Sequence, residues 1–207
     1  MKRFFTFGLS VLVLIVFVSM STGCGSQAEP VAKVVSVNGD VKLCKDKDSD
    51  LIVATVDASI FNHGIIRTGE QSSAAVKVMN KGTINFKSDV TFKFENISEA
   101  DVAQETGTAI YKIEKNGKGF RAKTPQGVCC VLGTVFSLVV SDESVDVWVK
   151  EGVVEFTTNS GEKNKVTEGQ KLVVSATGRK SEVSEPGLVD FEALFSNSAD
   201  LIPFNSR

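Results

Sequence analysis

From Ala32 onward, apolar and polar residues alternate in short runs, and turn residues separate the runs. Val35 and Val37, then Asn38-Gly39-Asp40, then Val41 and Leu43 predict a strand, a tight turn and a second strand. Further strands are predicted over 51–56, 74–79, 83–86, 90–95, 109–114, 120–123, 131–140, 145–150, 153–158 and 171–175. Ile84 and Phe86 flank Asn85, and Phe92 and Phe94 alternate with Lys93 and Glu95. That period of two describes a sheet with one wet face. No helical apolar stripe precedes residue 180, and residues 98–106 are expected to form a single turn at most. The tail changes period: Leu188, Phe191, Leu194 and Phe195 predict a short helix docking on the end of a barrel or sheet.

The 17 glycines of this 207-residue chain fall mainly in the turns. Asn80-Lys81-Gly82, Asn116-Gly117-Lys118-Gly119, Ser141-Asp142-Glu143 and Asn159-Ser160-Gly161 carry the residue types that accept left-handed or turn backbone. The fold class is therefore all-β with a short C-terminal helix. The expected organisation is a leader at 1–23, a tether at 24–32, a β domain at 33–176 and a tail at 177–207.

The leader sets the compartment. Lys2 and Arg3 precede an apolar run from Phe4 to Met20, and Ser21, Thr22 and Gly23 are small residues suited to cleavage. The run Met20-Ser21-Thr22-Gly23-Cys24 resembles a lipoprotein signal, which implies lipidation of Cys24 and anchoring in a cell envelope. The resemblance departs at Ser21, where such signals usually carry Leu. Acyl chains partition into a bilayer at about 0.8 kcal/mol per buried methylene. The envelope membrane is thus an expected lipid partner, on the outer membrane or the cell surface and periplasmic side. Losing Lys2 and Arg3 moves the formal charge from −2 to −4, which leaves no nucleic-acid footprint.

Little chemistry is on offer. Cys44, Cys129 and Cys130 are candidates for one disulfide in an oxidising envelope, with buried thiols as the alternative. The single histidine, His63, sits in an Asn62-His63-Gly64 turn without a nucleophile and orienting group beside it in sequence. Asp46, Asp48 and Asp50 alternate like a calcium loop, but the glycine and downstream Glu of such a loop are missing. No metal site, no cofactor and no enzyme activity are expected. Trp148 breaks the pattern of Val145, Val147 and Val149 and shares the opposite face with Asp146 and Lys150. It either covers a loop or the tail helix, or anchors a partner.

Four blocks in order carry a family resemblance. They are Gly64-Ile65-Ile66-Arg67-Thr68-Gly69-Glu70-Gln71-Ser72-Ser73-Ala74, then Asn80-Lys81-Gly82-Thr83-Ile84 with Ser88-Asp89-Val90-Thr91-Phe92. Next come Ala122-Lys123-Thr124-Pro125 with Val131-Leu132-Gly133-Thr134-Val135-Phe136, and finally Glu151-Gly152-Val153-Val154 with Glu168-Gly169-Gln170. This series resembles the FecR domain over about residues 34–173. The resemblance implies short strands wound as a β-roll or solenoid-like sandwich. Its motif turns are Arg67, Thr68, Gly69, Thr124, Pro125, Gly133, Thr134, Glu151 and Gly152. Leu132 departs from the family, which commonly has Arg there.

Regulatory FecR members carry a cytoplasmic segment, a transmembrane helix and a C-terminal transducer-binding domain. None of the three is read from this sequence, so their anti-sigma role is not carried over. The expected function is a non-enzymatic envelope lipoprotein, a β scaffold binding an envelope protein or a surface polysaccharide. The alternative is a signalling or sensor module acting through a membrane partner. Arg67, Glu70 and Trp148 are the candidate partner contacts, and exposed edge strands make homodimer pairing an option.

Overall fold

The computed structural model describes residues 29–96, 101–116, 119–177 and 180–196. The leader and Cys24 lie outside them. The first half contains β1 (Ala32–Asn38), β2 (Val41–Cys44), β3 (Ile52–Val53), β4 (Ser59–Ile60), β5 (Ile65–Thr68), β6 (Ser73–Val78), β7 (Gly82–Phe86) and β8 (Thr91–Asn96). A long strand, β9 (Asp101–Ile113), follows. The second half contains β10 (Phe120–Thr124), β11 (Gly127–Val131), β12 (Val135–Val140), β13 (Ser144–Glu151), β14 (Val153–Thr158), β15 (Lys163–Thr167), β16 (Lys171–Ser175) and β17 (Lys180–Ser184). The helix α1 (Leu188–Ser196) closes the described chain.

The strands form two facing sheets joined through β9. Sheet A runs β4-β1-β6-β7-β9-β12-β13-β16-β17. Sheet B runs β3-β2-β5-β8-β9-β10-β11-β14-β15. After β9 the chain lays down one hairpin in each sheet by turns: β10–β11 in B, β12–β13 in A, β14–β15 in B and β16–β17 in A. This is the expected roll-like sandwich, and its sheets end on open edges.

Gly107 lets β9 serve both sheets. Residues before it pair with β8, and residues after it pair with β7 and β12. Its φ is +82°, and a Cβ there would lie 2.6 Å from the Asp89 carbonyl oxygen. The bend is also stapled from within. The Tyr111 hydroxyl donates to Gln104 Oε1 at 2.7 Å, and Gln104 Nε2 donates to Gly107 O at 2.8 Å and Leu138 O at 3.2 Å. An aromatic cluster packs around this staple. Phe86 and Phe92 have centroids 4.8 Å apart, Phe92 and Phe94 5.1 Å, and Tyr111 stacks on Phe136 at 4.6 Å. All are fully buried in the space between the sheets.

Four expectations need correction. Residues 101–106, read as at most a turn, belong to β9 because Val102 and Gln104 face the core while β8 and β10 pair the backbone. The run 131–140 is two strands, since Gly133 at φ +68° carries the chain from sheet B to sheet A. The strand predicted over 51–56 shrinks to the two exposed residues of β3. In β1 a bulge at Val35 leaves that side chain 38% exposed and brings Val37 to the core side along with Ala32 and Val34.

Candidate functional site

The family-motif residues hold the crossovers between the sheets. Leu132-Gly133-Thr134 carries the chain from β11 to β12, and Gly152 returns it from β13 to β14. The two crossovers lie side by side. The buried Thr134 hydroxyl donates to Val153 O at 3.0 Å, while Ile113 N donates to Thr134 O at 3.0 Å. A Cβ on Gly152 would stand 3.1 Å from Thr134 Oγ1, and one on Gly133 would meet Lys115 Cβ at 2.6 Å.

Thr68 plays the same part in the first half. Its buried hydroxyl donates to Lys87 O at 2.6 Å and accepts from Val90 N at 3.0 Å. Next to it, Gly69 N donates to Asp40 O at 2.9 Å. Arg67 and Glu70 are both exposed, Arg67 on β5 and Glu70 in the following turn. Thr124 and Pro125 form the β10–β11 turn, closed by Thr124 Oγ1 donating to Gly127 O at 3.1 Å and tied down by Asn159 Nδ2 donating to Pro125 O at 2.7 Å. These turns are structural hubs rather than reactive groups.

Beside the paired crossovers, the outer face of sheet B carries a groove lined by Phe120, Arg121, Cys130, Leu132, Val153 and Glu155. Leu132 is 63% exposed and Val153 41%, so the groove shows apolar side chains to solvent. Arg121, Cys130 and Glu155 lie in one row across β10, β11 and β14. Glu155 accepts from Lys163 at 3.0 Å on the exposed rim. This arrangement can hold apolar side chains of a peptide between charged neighbours. Sequence reading missed it because Arg121, Cys130 and Glu155 meet only through strand pairing.

Cys44, Cys129 and Cys130 are not joined in a disulfide. Cys44 turns into its own loop, where its Sγ donates to Asp46 O at 2.8 Å and Ser49 O at 3.0 Å. Cys129 is fully buried in the core, and burial followed by the nearby Cys130 pushes its pKa well up. Cys130 faces the other side of the sheet, as adjacent strand residues must. Asp46 serves its own turn as well, accepting from Ser49 Oγ at 2.8 Å and Asp48 N at 3.0 Å, and these bonds hold its pKa below the usual range. Among the described residues no His, Cys, Asp and Glu cluster could hold a metal ion. His63 is exposed at φ +67° in its turn.

Trp148 is not an open partner anchor. It is only 9% exposed and lies beneath α1, which rests on the outer face of sheet A rather than on its end. Its ring is 6.1 Å from Phe191, and Ile110, Val135, Leu194 and Phe195 complete this second apolar cluster. Lys171 Nζ sits 4.5 Å from the Trp148 centroid while bonding Asp146 at 2.7 Å, and Lys150 Nζ lies 5.4 Å from the Phe195 ring. Lys87 Nζ donates to Leu194 O at 2.6 Å, and burial lowers its pKa. Among the described residues no helix is long and apolar enough to cross a membrane.

No curated relative matches this chain. Solved structures that resemble it include two of candidate anti-sigma factors from Parabacteroides distasonis ATCC 8503. One is 21% identical with a TM-score of 0.49, covering 59% of each chain. The other is 17% identical with a TM-score of 0.38, covering 75% of this chain and 60% of that one. The chain thus spans about three-fifths of the length of either structure. The FecR protein family model matches residues 64–155, a span that runs from the turn before β5 through β9 and both paired crossovers into β14. Across these residues the chain carries a FecR-like domain.

Proposed function

We propose that this chain is a cell-envelope signalling module that acts by binding a protein partner. The observation carrying this reading is the FecR match over residues 64–155, the span that contains the crossovers and much of the groove beside them. The groove's chemistry supports a protein over a polysaccharide. Its most exposed apolar side chains are the aliphatic Leu132 and Val153, whereas sugar rings are usually received on exposed aromatic faces. The lipoprotein-like run ending at Cys24 supports anchoring at a membrane surface, where a membrane-spanning partner would be met.

Crosslinking in intact membranes tests the reading, with wild type beside Cys24→Ser and Leu132→Asp. The expected result is one envelope protein captured by the wild type, reduced by Cys24→Ser and lost with Leu132→Asp. Capture of glycan alone, or of nothing specific, would overturn it. Arg67 and Glu70 remain secondary candidates, and Arg67→Glu is expected to leave capture intact if the groove is the main contact.

A further inference from the structure

The seat of α1 contains polar groups that α1 does not satisfy. Strand register sets Asn85, Ile110, Ser137, Trp148 and Lys171 in one row across the outer face of sheet A. Ile110 and Trp148 touch the underside of α1. Asn85 is fully buried, yet neither its Nδ2 nor its Oδ1 has a hydrogen-bond partner. Trp148 Nε1, also buried, has none. Buried polar groups are nearly always paired, and an unpaired one costs free energy each time the site is closed. Ser137 in the same row is satisfied, donating to Ala109 O at 3.0 Å, so the deficit is confined to the two groups.

We infer that the α1 seat on sheet A is a docking surface for an acidic amphipathic helix of a partner protein, and that α1 occupies it in cis as a displaceable plug. Three features fit that occupant. The seat already accepts a helix through Phe191, Leu194 and Phe195, one turn apart along a single stripe. Lys87, Lys150 and Lys171 surround it, with Asp146 the acid on that rim, and α1 itself carries Asp190 and Glu192. A partner helix bearing an amide or hydroxyl side chain would supply the bonds that Asn85 and Trp148 lack. Glu185-Pro186-Gly187 joins β17 to α1 without regular structure, so α1 can leave without unpairing a strand. The inference goes beyond the proposed function, adding a second protein contact on sheet A to the groove on sheet B.

Trp148 is the only tryptophan of the chain, so its fluorescence reads the seat directly. The experiment uses the full mature chain and a synthetic peptide of residues 186–197 as the acidic helix probe. Phe191→Ala with Phe195→Ala, which loosens the helix in cis, should tighten peptide binding about tenfold by removing the competitor. Adding Lys87→Glu should reverse most of that gain. Asn85→Leu added to the loosened chain, which removes the orphan amide beneath the helix, should tighten binding of this α1-derived peptide several-fold. A merely structural Asn85 would leave peptide binding unmoved. Hydrogen exchange on the wild type provides a check that needs no variant: α1 amides should exchange well before those of β13.

Failure of the loosened, folded chain to bind the peptide would overturn the inference, as would co-exchange of α1 with β13. Concentration-dependent dimers of the loosened chain would also overturn it, assigning the seat to a second copy. Membrane capture that persists without peptide binding would sink this inference and spare the proposed function. Peptide binding without any captured protein would do the reverse.

Discussion

The halves on either side of β9 solve the same winding problem with different turn chemistry. Before β9, left-handed backbone occurs at Asp57, His63, Gln71, Asn80 and Asp89, beside Gly39 and Gly82. After β9, among the described residues, it occurs only at Gly133, Gly152, Gly161 and Gly169. The second half is also the more regular, with one hairpin placed in each sheet in turn, whereas the first half includes strands of two residues. A non-glycine residue at positive φ carries local strain that its surroundings must hold in place. The first half therefore relies on long-range anchors such as Thr68 and Asp40. The second half builds permissive backbone into its turns.

The largest expected effect comes from severing the halves at their shared strand. Gly107→Val drives a Cβ toward Asp89 O, and should cost at least about 3 kcal/mol and abolish the single cooperative unfolding transition. Urea unfolding followed by far-UV circular dichroism reads this, and a normal midpoint would show that β9 does not couple the halves. Gly133→Ala should cost about 1–3 kcal/mol, because positive φ and the Lys115 contact both oppose it. Gln104→Ala should cost a similar amount, roughly 1–3 kcal/mol, by leaving the buried Tyr111 hydroxyl unpaired. A Tyr111→Phe, Gln104→Ala double variant that is no better than the sum of its singles would remove the staple from the account.

Alkaline pH should weaken the fold through the second half's core. Burial raises the Cys129 thiol well above 9.0 and the Tyr111 phenol well above 10.0. Above those ordinary values the unfolded chain releases protons that the folded chain keeps, so the folded state binds more protons and stability falls as pH rises. Below pH 9.0 neither group contributes a slope. Cys129→Ala should flatten the decline that begins near pH 9.0, as chemical unfolding at pH 8 and 10 would show. The smallest effect is expected at the first half's strained turns. Asn80→Gly and Asp89→Gly should each change stability by no more than about 0.5 kcal/mol, since relief of strain is offset by the freer unfolded chain. A loss of about 2 kcal/mol or more would mean that these side chains, not their backbone, hold the turns.

Much of this was legible in the chain. The alternation at Ile84, Phe86, Phe92, Phe94, Val145, Val147 and Val149 determined which side chains face the core, because a strand's period of two leaves no other choice once one face is buried. The stripe Phe191, Leu194 and Phe195 determined α1, and the ordered motif blocks pointed to the FecR-like span. Local pattern also showed that Trp148 opposes the core valines. Only the tertiary structure decided that α1 covers it. The same is true of Cys44, turned into its own loop, and of Arg121, Cys130 and Glu155, which form a row through strands far apart in sequence. Residues 101–106 became strand rather than turn because neighbours on both sides offered backbone partners, which their own sequence could not reveal. A strand's face is a property of its residues, whereas which strand lies beside it, and what lies over it, depends on closing the whole sandwich.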